Sequence, residues 1–144
     1  MYGSSMRRPG RSSASVYANI GLETQVMSAS PAQLITLLFD GAAAAIAKAQ
    51  IHLANGQSAQ RGVTISKAID IIDSGLKSSL DMEAGGALSQ NLAQAYDLII
   101  QHLMLANLHA DAKHLELAHT MLITLSDGWK QNLSNLAASP TLPT

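Results

Sequence analysis

The sequence predicts an all-α protein, an antiparallel four-helix bundle with a short, mobile helix or arm at its N-terminus. Four segments repeat apolar residues at helical spacing, and short breaks rich in glycine, asparagine or aspartate separate them. Apolar residues make up 47% of the 144 residues and aromatic residues only 3%, which suits helices that pack closely through leucine, isoleucine and alanine. No segment alternates apolar and polar residues as a half-buried strand does.

Composition divides the chain into three parts. Residues 1–14 are rich in glycine, serine and arginine, and we expect a disordered basic arm there. Residues 15–138 carry the apolar pattern and are expected to form one helical domain. The start of this domain lacks a strong helix cap, so at best a short, marginal helix is expected before the first long one. Residues 139–144 are expected to form a loose tail.

The first long helix is predicted from Ser30 to Asn55. Ser30 can cap it, Pro31 suits its first turn and Gln33 completes a capping box. At the other end, Asn55 and Gly56 form a matching stop signal. The residues expected to face the core share one side of the helical wheel: Leu34, Ile35, Leu38, Ala42, Ala45, Ile46, Ala49 and Leu53.

The second and third helices are predicted from about Val63 to Leu80 and from about Leu88 to His109. Gly75 lies within the second helix and costs about 1 kcal/mol relative to alanine, so we expect close packing at that point. The inner stripe of the second helix consists of Ile65, Ala68, Ile69, Ile72, Leu76 and Leu80. The inner stripe of the third consists of Leu88, Leu92, Ala95, Tyr96, Ile99, Leu103 and Ala106.

The fourth helix is predicted to begin at Asp111, which can cap it directly after the third helix and so form a tight hairpin. It is expected to end before Ser139 and Pro140. Its inner face is close to a heptad pattern and consists of Leu115, Ala118, Leu122, Leu125, Trp129, Leu133 and Leu136. Four helices joined by short links favour a bundle in which neighbours in sequence pair in space.

Two helices carry more apolar residues than one small core needs. Leu37, Ala44 and Ile51 recur at seven-residue intervals on nearly the opposite side of the first helix. Leu98 and Leu105 lie outside the inner stripe of the third helix. A surface kept for a helix of another protein is the favoured interpretation. A homodimer contact, or single exposed leucines without functional meaning, would also explain the pattern.

The sequence contains no pattern that predicts catalysis or cofactor binding. Glu116 and His119 have the i, i+3 spacing of di-iron sites in helical bundles, but such a site needs a second pair and two further inward carboxylates. The other two glutamates, Glu23 and Glu83, fall outside the predicted helices. A solvated helix face therefore explains the pair, and a small helical metalloenzyme remains the competing class. The protein is predicted not to be an enzyme.

Charge and histidine spacing exclude other classes of binding site. The five histidines lack the close spacing of zinc ligands, and the chain has no cysteine, so no metal site is predicted. Because His109 and His114 flank the turn from the third helix to the fourth, several histidines are expected to gather there, and a polar helix end is the simpler explanation. A net charge of −1 gives no general attraction to nucleic acid. The longest apolar run is far shorter than the roughly 20 residues of a membrane span, so a cytoplasmic protein without membrane insertion is expected.

Short pieces along residues 15–135 resemble, in the expected order, the flagellin export chaperones, the FliS family. Each piece is weak alone, and the set is specific. Met1-Tyr2 precedes them. The matching pieces are Tyr17–Gly21, Val26–Pro31, Leu34, Leu38–Gly41, Ser66–Ile69, Ile71-Ile72, Leu80-Asp81, Glu83, Gly85-Gly86, Asn91-Leu92, Tyr96-Asp97, Leu105–Asn107, Asp111, Asp127 and Trp129. The stretch between Tyr2 and Tyr17 departs from the family because it is longer and more basic.

The resemblance implies a cytoplasmic helical chaperone. Such a protein binds the disordered C-terminal segment of new flagellin, prevents premature polymerisation and helps deliver flagellin to the export gate. A flagellar anti-sigma factor is implied as a further partner. The region of Tyr17 and Ile20 is implied to cover part of the client groove when no client is bound. Together with the apolar pattern, the resemblance predicts partner binding at Leu37, Gly41, Ala44, Ile51, Ile71, Leu98 and Leu105.

Overall fold

The computed structural model describes residues 29–138, and these form four helices with no strand. The elements are α1 (Pro31–Ala54), α2 (Ser58–Asp70), α3 (Gly86–His109) and α4 (Ala112–Ala138). A π-helical segment (Ile71–Leu76) and a 3₁₀ turn (Lys77–Ser79) continue α2. The predicted all-α bundle is confirmed. The predicted N-terminal arm and C-terminal tail lie outside the described residues.

Short connections place helices that follow each other in sequence side by side and antiparallel. α1 packs mainly against α2 and α4, and α3 packs against α4 and against α2 with its π-helical continuation. The first and third helices therefore occupy opposite corners of the bundle. This arrangement decides which outer faces can share a partner.

The predicted start and end of α1 are confirmed. The Ser30 hydroxyl accepts a hydrogen bond from the Gln33 backbone N–H at 3.2 Å, and the Gln33 side chain accepts one from the Ser30 N–H at 2.8 Å. These two bonds form the capping box and satisfy two donors that a helix N-terminus leaves free. After the helix, Gly56 turns the chain with a φ of +68°, a conformation that glycine adopts without strain.

The core is built mostly from the predicted inner stripes. Its buried apolar residues are Leu38, Phe39, Ala42, Ala45, Ile46, Ala49, Ile65, Ala68, Ile71, Ile72, Leu76, Tyr96, Ile99, Leu103, Ala106, Leu115, Ala118 and Leu122. Phe39 was not on the predicted stripe, yet it is buried because it packs near Tyr96, with the ring centroids 6.4 Å apart. Aliphatic side chains from all four helical regions close the centre of the bundle.

The prediction of an inward-facing side chain is wrong for two residues. Leu88 is 67% exposed and Leu136 is 66% exposed. Both lie near helix ends, Leu88 in the first turn of α3 and Leu136 in the last turn of α4. At 27 residues, α4 is longer than α1 and α3 at 24 each, so its end extends beyond the packed layers. Helical periodicity predicts which side of a helix faces the core. It does not predict at which residue along the helix the packing against neighbouring helices ends.

A further departure from the simple helical pattern occurs at the π-helical segment. A π-helix has more residues per turn than an α-helix, which changes the face that each residue presents. Ile71 and Ile72 are both fully buried, although only Ile72 was predicted to face inward. Three residues on, an added Cβ at Gly75 would lie 2.9 Å from Leu38 Cδ2. The close packing predicted at Gly75 is confirmed.

Gly85→Ala is expected to lower the free energy of unfolding by about 1–3 kcal/mol. The added Cβ would lie 1.8 Å from the Ser89 Oγ and 2.7 Å from the Asp81 carbonyl oxygen. The serine can rotate, but the carbonyl belongs to the backbone and accepts the Gly85 N–H at 2.8 Å. Urea unfolding followed by circular dichroism measures the change.

Gly128→Ala is the matched control. It lies inside α4 with no heavy atom within 4 Å of the added Cβ, so alanine should raise stability by up to about 1 kcal/mol. If both variants shifted the urea midpoint equally and in the same direction, the steric explanation for the effect of Gly85→Ala would be contradicted.

Candidate partner-binding surfaces

An open apolar pocket lies at the end of the bundle where α1 begins. Its volume is about 460 Å³. Phe39, Tyr96 and Trp129 all line it, and they are the aromatic residues of the described part of the chain. The other lining residues are Ile35, Leu76, Ser79, Leu80, Leu88, Leu92, Thr124, Leu125, Gly128 and Asn132. The exposed Leu88 side chain therefore belongs to a pocket wall that four helical regions share.

One polar group of these aromatic residues is held by a hydrogen bond, and another is kept neutral by burial. The Trp129 Nε1–H donates to the Thr36 hydroxyl at 2.9 Å, which joins α4 to α1 and orients the indole ring. Burial raises the pKa of the Tyr96 phenol to about 12, so its hydroxyl stays protonated and neutral over the physiological range. The pocket therefore offers neutral aromatic and aliphatic surface, which suits apolar side chains.

The predicted partner-binding residues of α1 lie on its outer side. Ile51 is 59% exposed and Ala44 is exposed. Leu37 and Gly41 are half-buried. We call this set the α1 face. Because Gly41 and Ala44 are small, the backbone of a partner could approach α1 closely between the two larger side chains.

The second predicted set lies on α3. Leu98 is 44% exposed and Leu105 is half-buried. Met104 and Leu108 are also exposed on this helix and were missed in the sequence. The signal was present in the sequence: α3, like α1, carries apolar residues on more than one side of the helical wheel, and Met104 and Leu108 are among them. We call the four residues the α3 face.

Ile71 does not belong to either face. Its side chain is fully buried in the core, so the prediction that it contacts a partner is corrected. The π-helical segment Ile71–Leu76 packs against both α1 and α3, so a wider face is buried there and includes Ile71 as well as Ile72. A partner could reach Ile71 only if the bundle opened.

The two faces cannot form one continuous groove. α1 and α3 occupy opposite corners of the bundle, and α2 and α4 lie between them. A residue on the outer side of α1 therefore points away from the outer side of α3. The short links predicted that neighbouring helices pair, which places α1 and α3 diagonally, but the consequence for the two surplus stripes was not drawn from the sequence.

Ion pairs tie the outer edges of the bundle. Lys130 Nζ lies 2.8 Å from Asp40 Oδ1 and joins α4 to α1. Lys77 Nζ lies 2.7 Å from Asp97 Oδ1 and joins the 3₁₀ turn to α3. The hydrogen bond to Asp97 raises the pKa of Lys77. Both pairs are exposed, and such pairs contribute at most about 1 kcal/mol each, so apolar packing dominates the stability.

The histidines and carboxylates do not assemble a metal centre within residues 29–138. Glu116 is exposed, as the solvated-face interpretation predicted. Within the described range, no group of three or more histidine, aspartate or glutamate side chains could hold an ion. Two histidines do meet near the α3–α4 hairpin, but they are His102 and His114.

By length and composition alone, α1 could cross a membrane. Its inner side, however, includes Leu38, Ala42 and Ile46, all fully buried in the bundle. The core helix of a soluble bundle meets the same criteria, so this is weak evidence and establishes no membrane span.

Comparison with known proteins gives a consistent family. The family model described as "Flagellar protein FliS" matches residues 13–136. The Flagellar secretion chaperone FliS of Salmonella typhimurium strain LT2 is 46% identical over 115 residues, which cover 80% of this chain and 85% of the relative. The protein of that name from Escherichia coli K12 is 41% identical over 117 residues, covering 81% and 86%. Flagellar secretion chaperone FliSB of Pseudomonas aeruginosa PAO1 is 36% identical over 113 residues, covering 78% and 89%.

Proposed function

Because the chain belongs to the flagellar protein FliS family, we propose that it binds the disordered C-terminal segment of flagellin in the cytoplasm. It prevents flagellin from polymerising too early and helps deliver it to the export gate. The exposed apolar residues of the α1 and α3 faces hold the segment. These faces, on opposite corners of one small bundle, are the observation that carries the proposal.

Family membership supplies the coarser part of this function. Members are named as flagellar secretion chaperones, which implies binding to a flagellar protein and to export machinery. A chaperone of this family is not an enzyme, so that prediction is confirmed. Binding and release of a client require no catalytic residue. The apolar character of both faces is consistent with such binding.

The geometry favours a flexible client over a rigid one. A folded partner that docks on the α1 face is directed away from the α3 face, because the two helices are diagonal. A segment that is disordered when free can wrap around the bundle and bury apolar side chains on both faces. It loses conformational entropy as it orders, and that loss leaves the affinity compatible with later release.

Isothermal titration calorimetry with a synthetic peptide of the flagellin C-terminal segment tests the proposal. Burial of apolar surface should give a large negative heat-capacity change and a dissociation constant that depends only weakly on salt. A matched peptide of the same composition in scrambled order is the control and should not bind.

Three outcomes would contradict the proposal. Absence of binding would remove flagellin as the client. A steep loss of affinity with salt would point to capture by Arg7, Arg8 and Arg11 of the arm. A dimer in light scattering that the peptide fails to dissociate would assign the exposed faces to a second copy of the chain.

The region of Tyr17 and Ile20 is proposed to cover part of the client-binding surface when no client is present. These residues lie outside the described part of the chain. Ten residues separate Ile20 from Pro31, a length that can span up to about 35 Å when extended. Because Leu37 and Gly41 of the α1 face lie in the first half of α1, that part of the client-binding surface is within reach of this region.

Deleting residues 1–22 is therefore expected to tighten peptide binding. With an intramolecular cover, the apparent affinity is the intrinsic affinity multiplied by the fraction of molecules in which the surface is free. If the cover is closed about nine-tenths of the time, its deletion should lower the dissociation constant about tenfold. Calorimetry with the same peptide measures the change. Deleting residues 1–14 is the control, since it keeps Tyr17 and Ile20 and should leave the affinity near wild type. Loss of binding in a folded, monomeric 1–22 deletion would make the region part of the site instead of its cover.

A further inference from the structure

His102 of α3 and His114 of α4 contact each other through the same ring nitrogen. Their Nδ1 atoms lie 2.9 Å apart, which is hydrogen-bond distance. The ring centroids are 5.1 Å apart, about the sum of this contact and two imidazole ring radii. Each Nδ1 therefore points almost directly at the other, in the arrangement of a hydrogen bond.

This arrangement requires one proton between the two rings. A neutral imidazole donates from one nitrogen and accepts at the other, so one ring must donate from Nδ1 and the other must accept there. If both Nδ1 atoms carry protons, two donors face each other and the bond is lost. A metal ion bound by both nitrogens would need their lone pairs to converge on a third point, which the in-line geometry does not provide.

One carboxylate is positioned to favour a particular donor. Asp111 Oδ2 lies 3.9 Å from His114 Nε2, on the other side of that ring from the contact. In the neutral pair this carboxylate favours a proton on His114 Nε2, so that His114 Nδ1 accepts and His102 Nδ1–H donates. Within residues 29–138, Glu116 and His52 form no ion pair or hydrogen bond with either ring: Glu116 lines a pocket beside α1, and His52 bonds to Gln57.

Other charged or titratable groups near the hairpin are His109 at the end of α3, Lys113 at the start of α4 and Arg61 of α2, whose guanidinium donates to the side-chain and backbone oxygens of Asn107. None of the three bonds to the two rings in the described range, and the Lys113 backbone N–H is held by Asp111 Oδ1 at 2.9 Å. Asp111 is therefore the charged partner of the pair. Its carboxylate links the cap of α4 to His114.

We propose that His102 and His114 form a proton-dependent latch that holds the α3–α4 hairpin closed. The latch is closed while one proton lies between the two Nδ1 atoms. It opens when acidification protonates both rings, because the second proton removes the acceptor. The hairpin end of the bundle, which carries Leu105 and Leu108 of the α3 face, then becomes looser than the rest.

Nitrogen-15 NMR of the histidine rings in the full-length protein tests the contact directly. At pH 7.5, one Nδ1 of the pair should carry a proton and the other should not. If both Nδ1 atoms are unprotonated at that pH, no hydrogen bond joins the rings and the latch is refuted. This readout uses the wild-type chain and does not depend on any variant folding.

Amide hydrogen exchange tests the consequence. Protection factors of the hairpin amides, corrected for intrinsic exchange, should fall about tenfold relative to the bundle core between pH 7.5 and pH 5.5. His102→Gln and His114→Gln should abolish this pH dependence, because glutamine does not titrate. His109→Gln, in the same hairpin but outside the pair, should keep it. Uniform protection in wild type at both pH values, or persistence of the loss in both pair variants, would overturn the proposal.

Discussion

Leu122→Asp is expected to unfold the bundle. Leu122 is fully buried in the middle of α4. The aspartate would either be buried as an unpaired charge or stay protonated without a partner, and it also leaves part of the leucine volume empty. The cost is about 4 kcal/mol or more, a large share of the 5–15 kcal/mol that stabilises a typical domain. Circular dichroism at 222 nm and thermal unfolding measure the loss of helix.

Leu117→Asp is the matched control for this change. It makes the same substitution five residues earlier on the same helix, where the leucine is 48% exposed. Its stability should stay within about 0.5 kcal/mol of wild type. A native-like Leu122→Asp protein, or equal destabilisation by both variants, would mean that the core is not where the structure places it.

The sequence predicted the parts of the fold that local chemistry determines. Ser30 and Gln33 define the start of α1 through bonds that their own side chains make, so neighbouring helices are not needed to recognise the cap. The inner stripes were predicted because the 3.6-residue period brings residues such as Leu38 and Ala42 to one side. Where helical geometry changed, at the π-helical segment, the prediction for Ile71 failed.

The candidate site was predicted only in part, for a different physical reason. The exposure of Ile51 and Leu98 follows from their positions opposite the inner stripes of single helices. The aromatic pocket does not, because Phe39, Tyr96 and Trp129 come from three helices and meet only after the bundle has formed. Patterns within one helix do not show which side chains of different helices will meet. The diagonal placement of α1 and α3, in contrast, follows from the short links between the helices.

The separation of the α1 and α3 faces makes the client-binding proposal more specific. If both faces held independent partners, blocking one would leave binding at the other intact. If one disordered segment wraps around the bundle, each face contributes to a single dissociation constant, and losses on the two faces combine. The same geometry requires a client segment long enough to extend from the α1 corner to the α3 corner, because a shorter peptide would contact only one face.

Ile51→Asp and Leu98→Asp, combined, are expected to weaken binding of the flagellin C-terminal peptide by about a hundredfold or more. Each loses the burial of one large apolar side chain and adds a carboxylate to an apolar contact, about tenfold or more in dissociation constant. The two residues lie on diagonal helices and share no contacts, so their effects should add in free energy. Calorimetry on both single variants and the double variant measures this, with circular dichroism to verify unchanged helix content.

Thr120→Asp on the exposed side of α4 is the control: it adds the same carboxylate without removing a large apolar side chain, so it should weaken binding far less than either single variant. A double variant no weaker than the weaker single variant would show that one peptide does not engage both faces, and the wrapped arrangement would be wrong. Loss of helix in either single variant would instead place that residue in the core. Because Ile51 and Leu98 are 59% and 44% exposed, both single variants should fold, so a loss of affinity reports contact with the client.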